Sequence, residues 1–168
     1  MSNVVEILIS NKDGIYNVKV NGRATFECVQ PLRTLASELE QNKFDAINVD
    51  LGNCVWMDST FMGMIGRLGL HAIKHSAERN ICNAGEQNTS LLCGLGLKKV
   101  FKFIEAEIEA EETLMDPTAT ETDRRAAAQN VLDAHKTLIE IDLENEKKFK
   151  GVVDMIQKDI DKMDTPKG

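Results

Sequence analysis

"INVDLGNCVWMDSTFMGMIGRLGLHAIKH" spans residues 47–75 and contains the most informative junction of the chain. A short apolar run predicts a buried strand, which leads through Asp58, Ser59 and Thr60 into a segment of helical periodicity that ends near His75. Asp58 or Ser59 could accept a hydrogen bond from the free N–H groups of the first helical turn. Helix capping is therefore one explanation for polar side chains at this junction.

Glycine recurs every third residue in the predicted helix, at Gly63, Gly66 and Gly69. Each glycine costs about 1 kcal/mol relative to alanine in helix propensity, so a compensating interaction is expected. Either the helix packs closely within its own domain, or another protein approaches a face that lacks side chains. The spacing is not the G-x-G-x-x-G pattern of a dinucleotide site.

The flanking sequence alternates between strand and helix patterns, which indicates an α/β layer fold. "VVEILIS" and "YNVKVNG" predict two strands joined by a tight turn at "NKDG", because Asp-Gly accommodates positive φ. The remaining predicted elements, in order, are a helix in "CVQPLRTLASELEQN", a strand in "FDAINVDLG", the glycine-spaced helix, a strand in "ERNICNAG", a short helix in "NTSLLCGLGL" and a last strand in "KKVFKFIE". In such folds functional loops gather at the carboxyl ends of the strands, which is where Asp58, Ser59 and Thr60 lie.

Two segments resemble the signature of the STAS domain of bacterial anti-sigma-factor antagonists. In "DLGNCVWMDSTFMGMIGRL" the pair Asp50-Leu51 ends a strand, and Asp58-Ser59-Thr60 begins the helix. The later segment "TSLLCGLGLKKVFKF" is similar to the family pattern at Leu92, Gly96 and Leu97. The resemblance covers residues 4–104 and implies a mixed four- to five-stranded sheet with packed helices.

The resemblance implies a phosphorylation-controlled, non-enzymatic switch in the regulation of bacterial transcription. Ser59 would be phosphorylated by a partner that is both an anti-sigma factor and a serine kinase, and a dedicated serine phosphatase would reverse the reaction. The unphosphorylated protein would bind the anti-sigma factor and release the sigma factor. The chain departs from the family at Phe61, where a glycine is usual, so the docking surface is expected to differ there. The implied partner-binding residues are Asp58, Ser59, Thr60, Phe61, Met62, Gly63 and Gly66.

Two alternatives to this switch remain open. Some STAS domains are scaffolds or sensory modules without a phosphorylation switch. A small serine hydrolase is disfavoured, because the sequence predicts no histidine near Ser59. His71 and His75 lie on the same helix about three and four turns away from it, and the G-x-S-x-G motif is absent.

Composition excludes several other classes of function. The four cysteines, Cys28, Cys54, Cys82 and Cys93, form no C-x-x-C pair, and His71 and His75 lack a third ligand, so neither a metal nor another cofactor is predicted. The net charge is −7 and no basic cluster is interleaved with aromatic residues, so nucleic acid is not an expected partner. No apolar run has the roughly 20 residues of a membrane span, and no signal peptide is recognisable. We expect a cytoplasmic protein.

The C-terminal third has a different composition from the rest of the chain. Residues 105–168 hold 9 Lys+Arg and 17 Asp+Glu, whereas residues 1–104 are nearly neutral. The pattern predicts a STAS-like domain at 1–104, an acidic linker at 105–122, one amphipathic helix at 123–163 and a disordered end at 164–168. That long helix could pack on its own domain, or it could be an arm that forms a homodimer or binds a partner.

Overall fold

The computed structural model of the protein describes residues 5–109, 114–115 and 124–165. The strands in these residues are β1 Glu6–Lys12, β2 Ile15–Ala24, β3 Ala46–Met57, β4 Glu78–Cys82, β5 Lys102–Ile104 and β6 Leu114–Met115. The α-helices are α1 Gln30–Gln41, α2 Ser59–Lys74, α3 Glu86–Gly94, α4 Arg124–Ile141 and α5 Asn145–Asp164. None of these helices is both long and apolar enough to cross a membrane.

The strands form one mixed sheet in the order β5-β4-β3-β2-β1-β6. β1 pairs antiparallel with β2 and β6, and the pairs β2-β3, β3-β4 and β4-β5 are parallel. Asp13 and Gly14 turn the predicted hairpin with φ of 54° and 85°, in the left-handed region that such turns require. The predicted mixed α/β sheet is confirmed, and the two-residue β6 adds an edge strand that the sequence analysis did not include.

The central strand β3 positions the start of α2. Ile47, Val49 and Leu51 of β3 are buried in the core, as their apolar character predicts. α2 follows β3 after a single intervening residue and packs against β3, β4, α1 and α4. Helix packing on both sides of α2 explains how a helix with three glycines is stabilised.

The prediction of a single helix at residues 123–163 is wrong, because the chain turns between two helices, α4 and α5. Asp142 accepts a hydrogen bond from the backbone N–H of Glu144 at 3.0 Å, and the buried side-chain amide of Asn145 donates to the carbonyls of Leu138 and Leu95 at 2.7 and 2.9 Å. These hydrogen bonds pair backbone groups that are left free where the helix is interrupted, and they attach the turn to the domain. The two residues that interrupt the apolar pattern, Asp142 and Asn145, are therefore part of a turn.

α4 and α5 pack against each other, and we call them the C-terminal hairpin. α4 also packs on α2 of the same chain, as expected if the tail packs on its own domain. α5 extends to Asp164, so the expected disordered end does not begin there, and residues 166–168 lie outside the described residues. The expected linker at 105–122 contains β6, and most of its other residues after 109 are not described.

The packing of α4 predicts a large difference between two nearby leucines. Leu138 is fully buried in the hydrophobic core, whereas Leu143 in the turn is 76% exposed. We expect Leu138→Ala to lower the free energy of unfolding by about 2–5 kcal/mol, because it leaves a cavity. Leu143→Ala is the matched control and should change it by less than about 0.5 kcal/mol. Urea denaturation of both variants measures this difference, and equal effects would contradict the placement of α4.

Candidate functional site

Asp58 is the N-cap of α2 and connects two loops. Its backbone is extended, with φ −89° and ψ 174°, and Oδ1 accepts a hydrogen bond from the N–H of Phe61 at 2.9 Å. Oδ2 accepts from the N–H of Phe26, in the loop after β2, at 2.8 Å. Capping is thus performed by Asp58, and the hydroxyl of Ser59 is not required for it.

The hydroxyl of Ser59 instead contacts His135 of α4. Ser59 Oγ lies 2.9 Å from Nε2, and Nδ1 of the same ring lies 2.7 Å from the carbonyl oxygen of Val131. Because that carbonyl can only accept, Nδ1 carries a proton, and in that tautomer Nε2 accepts from the serine hydroxyl. The histidine is 4% exposed and packs edge-on against Phe149 of α5.

The sequence analysis missed His135, because it is 76 residues from Ser59. One signal was present: His135 lies between Leu132 and Leu138 at helical spacing, on the apolar stripe of α4. A histidine on such a stripe is expected to be buried and to have a polar partner. The sequence could not say which partner, because that depends on where α4 packs.

The glycines of α2 form a face that the chain itself covers. A Cβ atom on Gly63 would overlap the backbone carbonyl of Ala134, and one on Gly66 would lie 2.6 Å from Cδ1 of Ile141. A Cβ on Gly69 would meet the side chains of Val100 and Phe101, before β5. Of the two explanations for the glycines, the structure therefore shows close packing within the chain.

The expected partner-binding residues divide into two groups. Asp58 and Ser59 are partly exposed, whereas the other five, Thr60, Phe61, Met62, Gly63 and Gly66, are buried. The ring of Phe61 is fully buried in the hydrophobic core, and its effect on a docking surface stays a prediction.

Exposed apolar side chains lie at the carboxyl ends of β2 and β3 and directly after β2. Phe26, whose N–H binds Asp58, is 48% exposed, and Val55 near the end of β3 is 68% exposed. The guanidinium of Arg23 stacks over the ring of Trp56 at 4.6 Å from its centroid. The sequence analysis did not single out these residues, because scattered exposed apolar side chains are common and only the fold places them around Ser59.

Ionic contacts attach α4 to the domain beside the glycine face. Arg33 of α1 donates to Asn130 and Asp133 of α4, each at 2.8 Å, and Arg67 of α2 lies 3.7 Å from Asp133. The side chains of Arg33 and Asp133 remain 31% and 19% exposed, so each pair contributes modestly to stability. They nevertheless set the register of α4 on α2.

The histidines and cysteines of the described residues do not assemble a metal site. His75 Nε2 lies 3.3 Å from the carbonyl of Glu40, and burial lowers the pKa of His71. No group of three or more residues able to hold a metal is present in the part of the chain that the structure describes. The cysteines are free thiols, and burial raises the pKa of Cys54 and Cys82 to about 11.

Comparison with solved structures identifies the fold. The unphosphorylated form of the anti-sigma factor antagonist SpoIIAA superposes with a TM-score of 0.52 and 11% sequence identity, over 60% of this chain and 89% of SpoIIAA. This chain has the STAS fold. An anti-sigma factor antagonist from Mycobacterium paratuberculosis matches over 63% of this chain and 90% of its own, with a TM-score of 0.48 and 16% identity. No protein-family model matches the sequence, and no curated protein matches it either.

The STAS fold of SpoIIAA accounts for 60% of the chain. A substantial part of this protein therefore has no counterpart in that neighbour. Two contacts described above, Ser59 with His135 and Gly63 with Ala134, join the start of α2 to the C-terminal hairpin.

The close approach of α4 to Gly63 predicts an unusual response to alanine. In most exposed helix positions Gly→Ala stabilises by about 1 kcal/mol, and Gly151 of α5, with no atom near its Cβ position, should show this gain. Gly63→Ala should instead destabilise by about 1–3 kcal/mol, because the backbone of α4 must move away. Guanidinium denaturation of the two variants measures the contrast. A stabilised Gly63→Ala protein would show that α4 does not approach α2 as described.

Proposed function

We propose that this chain is an anti-sigma factor antagonist, a protein-binding switch controlled by phosphorylation of Ser59. The observation that carries the proposal is the position of Ser59, the first residue of α2, beside its N-cap and at the end of the central strand of a STAS fold. The structure of SpoIIAA, which has the same fold, is described as that of an anti-sigma factor antagonist in its unphosphorylated form.

The division of roles between Asp58 and Ser59 supports reversible modification. Because Asp58 supplies the cap, a change at the Ser59 hydroxyl leaves the hydrogen bond that starts α2 intact. A phosphate adds about −1.5 to −2 charge, and the N-terminus of a helix tolerates negative charge through its free N–H groups and its dipole. The fold can therefore persist while the surface changes charge.

The proposed partners are an anti-sigma factor that is also a serine kinase, and a serine phosphatase that removes the phosphate, in a bacterial cytoplasm. The exposed apolar side chains Phe26 and Val55 offer contact area beside Ser59. A partner that receives a neutral hydroxyl would meet charge and bulk after phosphorylation, and burying an unpaired charge is unfavourable. Phosphorylation would thus release the partner.

The contact between Ser59 and His135 raises the hydrolase alternative again, because the sequence analysis found no histidine close to Ser59. A serine hydroxyl bonded to a neutral imidazole is the first element of a nucleophilic pair. Here, however, Nδ1 of the ring binds a backbone carbonyl, and among the described residues no carboxylate is bonded to it. The ring is also 4% exposed, so a substrate cannot reach its Nε2 from solvent. We therefore favour a regulator without enzymatic activity over a hydrolase.

Phosphopeptide mass spectrometry of the protein isolated from its native cells tests the proposal. We expect a fraction of the molecules to carry phosphate on Ser59. In the Ser59→Ala variant, the peptide that contains residue 59 should carry no phosphate. Thr60→Ala is the matched control, since Thr60 is an adjacent but buried hydroxyl, and it should leave the phosphate in place. Absence of phosphate on Ser59 under all growth conditions would favour a STAS scaffold or sensory module.

Calorimetry with the serine kinase encoded next to the gene tests the direction of the switch. We expect Ser59→Ala to bind, and Ser59→Asp to bind roughly two orders of magnitude more weakly, because the carboxylate places charge in the interface. Circular dichroism should show that both variants are folded. Equal affinities for the two folded variants would contradict control through the charge of residue 59.

A further inference from the structure

We propose that the C-terminal hairpin is an autoinhibitory cover of the Ser59 site, which must lift before the site is used and cannot close again over a phosphorylated serine. This proposal rests on the proposed function in taking Ser59 as the modified residue. It adds a regulatory segment, α4 and α5, which competes with any partner for the α2 surface.

α4 covers the first two turns of α2. The hydroxyl of Ser59 binds His135, the backbone at Ala134 lies against Gly63, and Ile141 lies against Gly66. Thr60 and Met62, beside these contacts, are buried as well. A partner helix cannot reach this face of α2 while α4 occupies it.

The hairpin is attached by the buried side chains of Leu138 and Asn145 and by partly exposed ionic contacts, and none of these belongs to the strand pairing of the sheet. The ionic contacts of Asp133 with Arg33 and Arg67 are partly exposed, so water can replace them. β1 to β5 lie within residues 6–104, and α4 begins only at Arg124, so the parallel sheet does not depend on the hairpin for its strand pairing. Segments with these properties open at lower free energy than a central sheet.

A phosphate on Ser59 is incompatible with the closed position of α4. Nε2 of His135 is 2.9 Å from Oγ, so the space that a phosphoryl group needs is filled by the imidazole. Local movement of the ring would break its hydrogen bond to the carbonyl of Val131 and its edge-on contact with Phe149. Phosphorylation therefore shifts the hairpin towards the open position, and the charge of the phosphate, not the hairpin, is then what keeps the partner from binding.

Closure also lowers the affinity of a partner for the unmodified protein. If only the open form binds, the apparent dissociation constant rises in inverse proportion to the open fraction. A substitution that weakens closure should therefore tighten partner binding although it touches no partner residue. This dependence separates a cover from a hairpin that only adds stability.

Cysteine labelling in the full chain tests the cover without knowledge of the partner. The reporter is Thr137→Cys, on α4 facing Gly66 and 6% exposed, in a Cys93→Ser background. Cys54 and Cys82 are buried thiols and report global unfolding in the same sample. A maleimide at neutral pH is followed by mass spectrometry of the individual peptides. Phosphoserine is incorporated at position 59 by genetic code expansion.

We expect phosphoserine at position 59 to speed labelling of the cysteine at 137 by about tenfold or more, while Cys54 and Cys82 stay unlabelled. Ile141→Ser, which removes the contact with Gly66, should also speed it, whereas the matched control Leu143→Ser should change it less than about twofold. If the Thr137→Cys protein does not fold, hydrogen exchange of the α4 amides with and without phosphoserine gives the same comparison.

Three results would overturn the cover. Labelling that is unchanged or slowed by phosphoserine would mean that the closed hairpin accommodates the phosphate. Labelling of all cysteines together would mean that α4 leaves only on global unfolding. Protection that disappears on dilution would mean that a second copy supplies the hairpin. These outcomes are distinct from failure of the proposed function, which is an absence of phosphate on Ser59 in cells.

Discussion

The two hydrogen bonds accepted by the Asp58 carboxylate organise the functional end of the molecule. One oxygen binds the N–H of Phe61 and starts α2, and the other binds the N–H of Phe26 and holds the loop after β2. A single side chain thus fixes the direction of α2 relative to two adjacent parallel strands. Because Asp58 performs the capping, the next residue, Ser59, keeps a hydroxyl that the helix does not need.

The glycines of α2 connect local sequence to tertiary packing. In isolation Gly63, Gly66 and Gly69 would weaken the helix by about 1 kcal/mol each. In the folded chain the absence of side chains lets α4 approach the backbone at Gly63 and lets Phe101 pack at Gly69. That approach brings His135 to the hydroxyl of Ser59. The residues that lower helix propensity are therefore the ones that make the covering contact.

The same helix start is suited both to modification and to concealment. A helix N-terminus tolerates negative charge, which favours a phosphate on Ser59, but the imidazole of His135 leaves no space for one while α4 is closed. The two states exclude each other through one short contact. Such mutual exclusion between two arrangements is how a local change of charge produces a large structural response.

The sequence by itself determined the mixed α/β class, the hairpin at Asp13 and Gly14, and the start of α2 at Asp58 and Ser59. These features depend on periodicity, turn residues and caps within a few positions. It did not predict the turn at Asp142–Asn145, the burial of Phe61 or the pairing of Ser59 with His135. The last of these joins residues 76 positions apart. Only the tertiary structure decided them, because the segment that fills a glycine face is selected by the packing of distant helices, which no local pattern encodes.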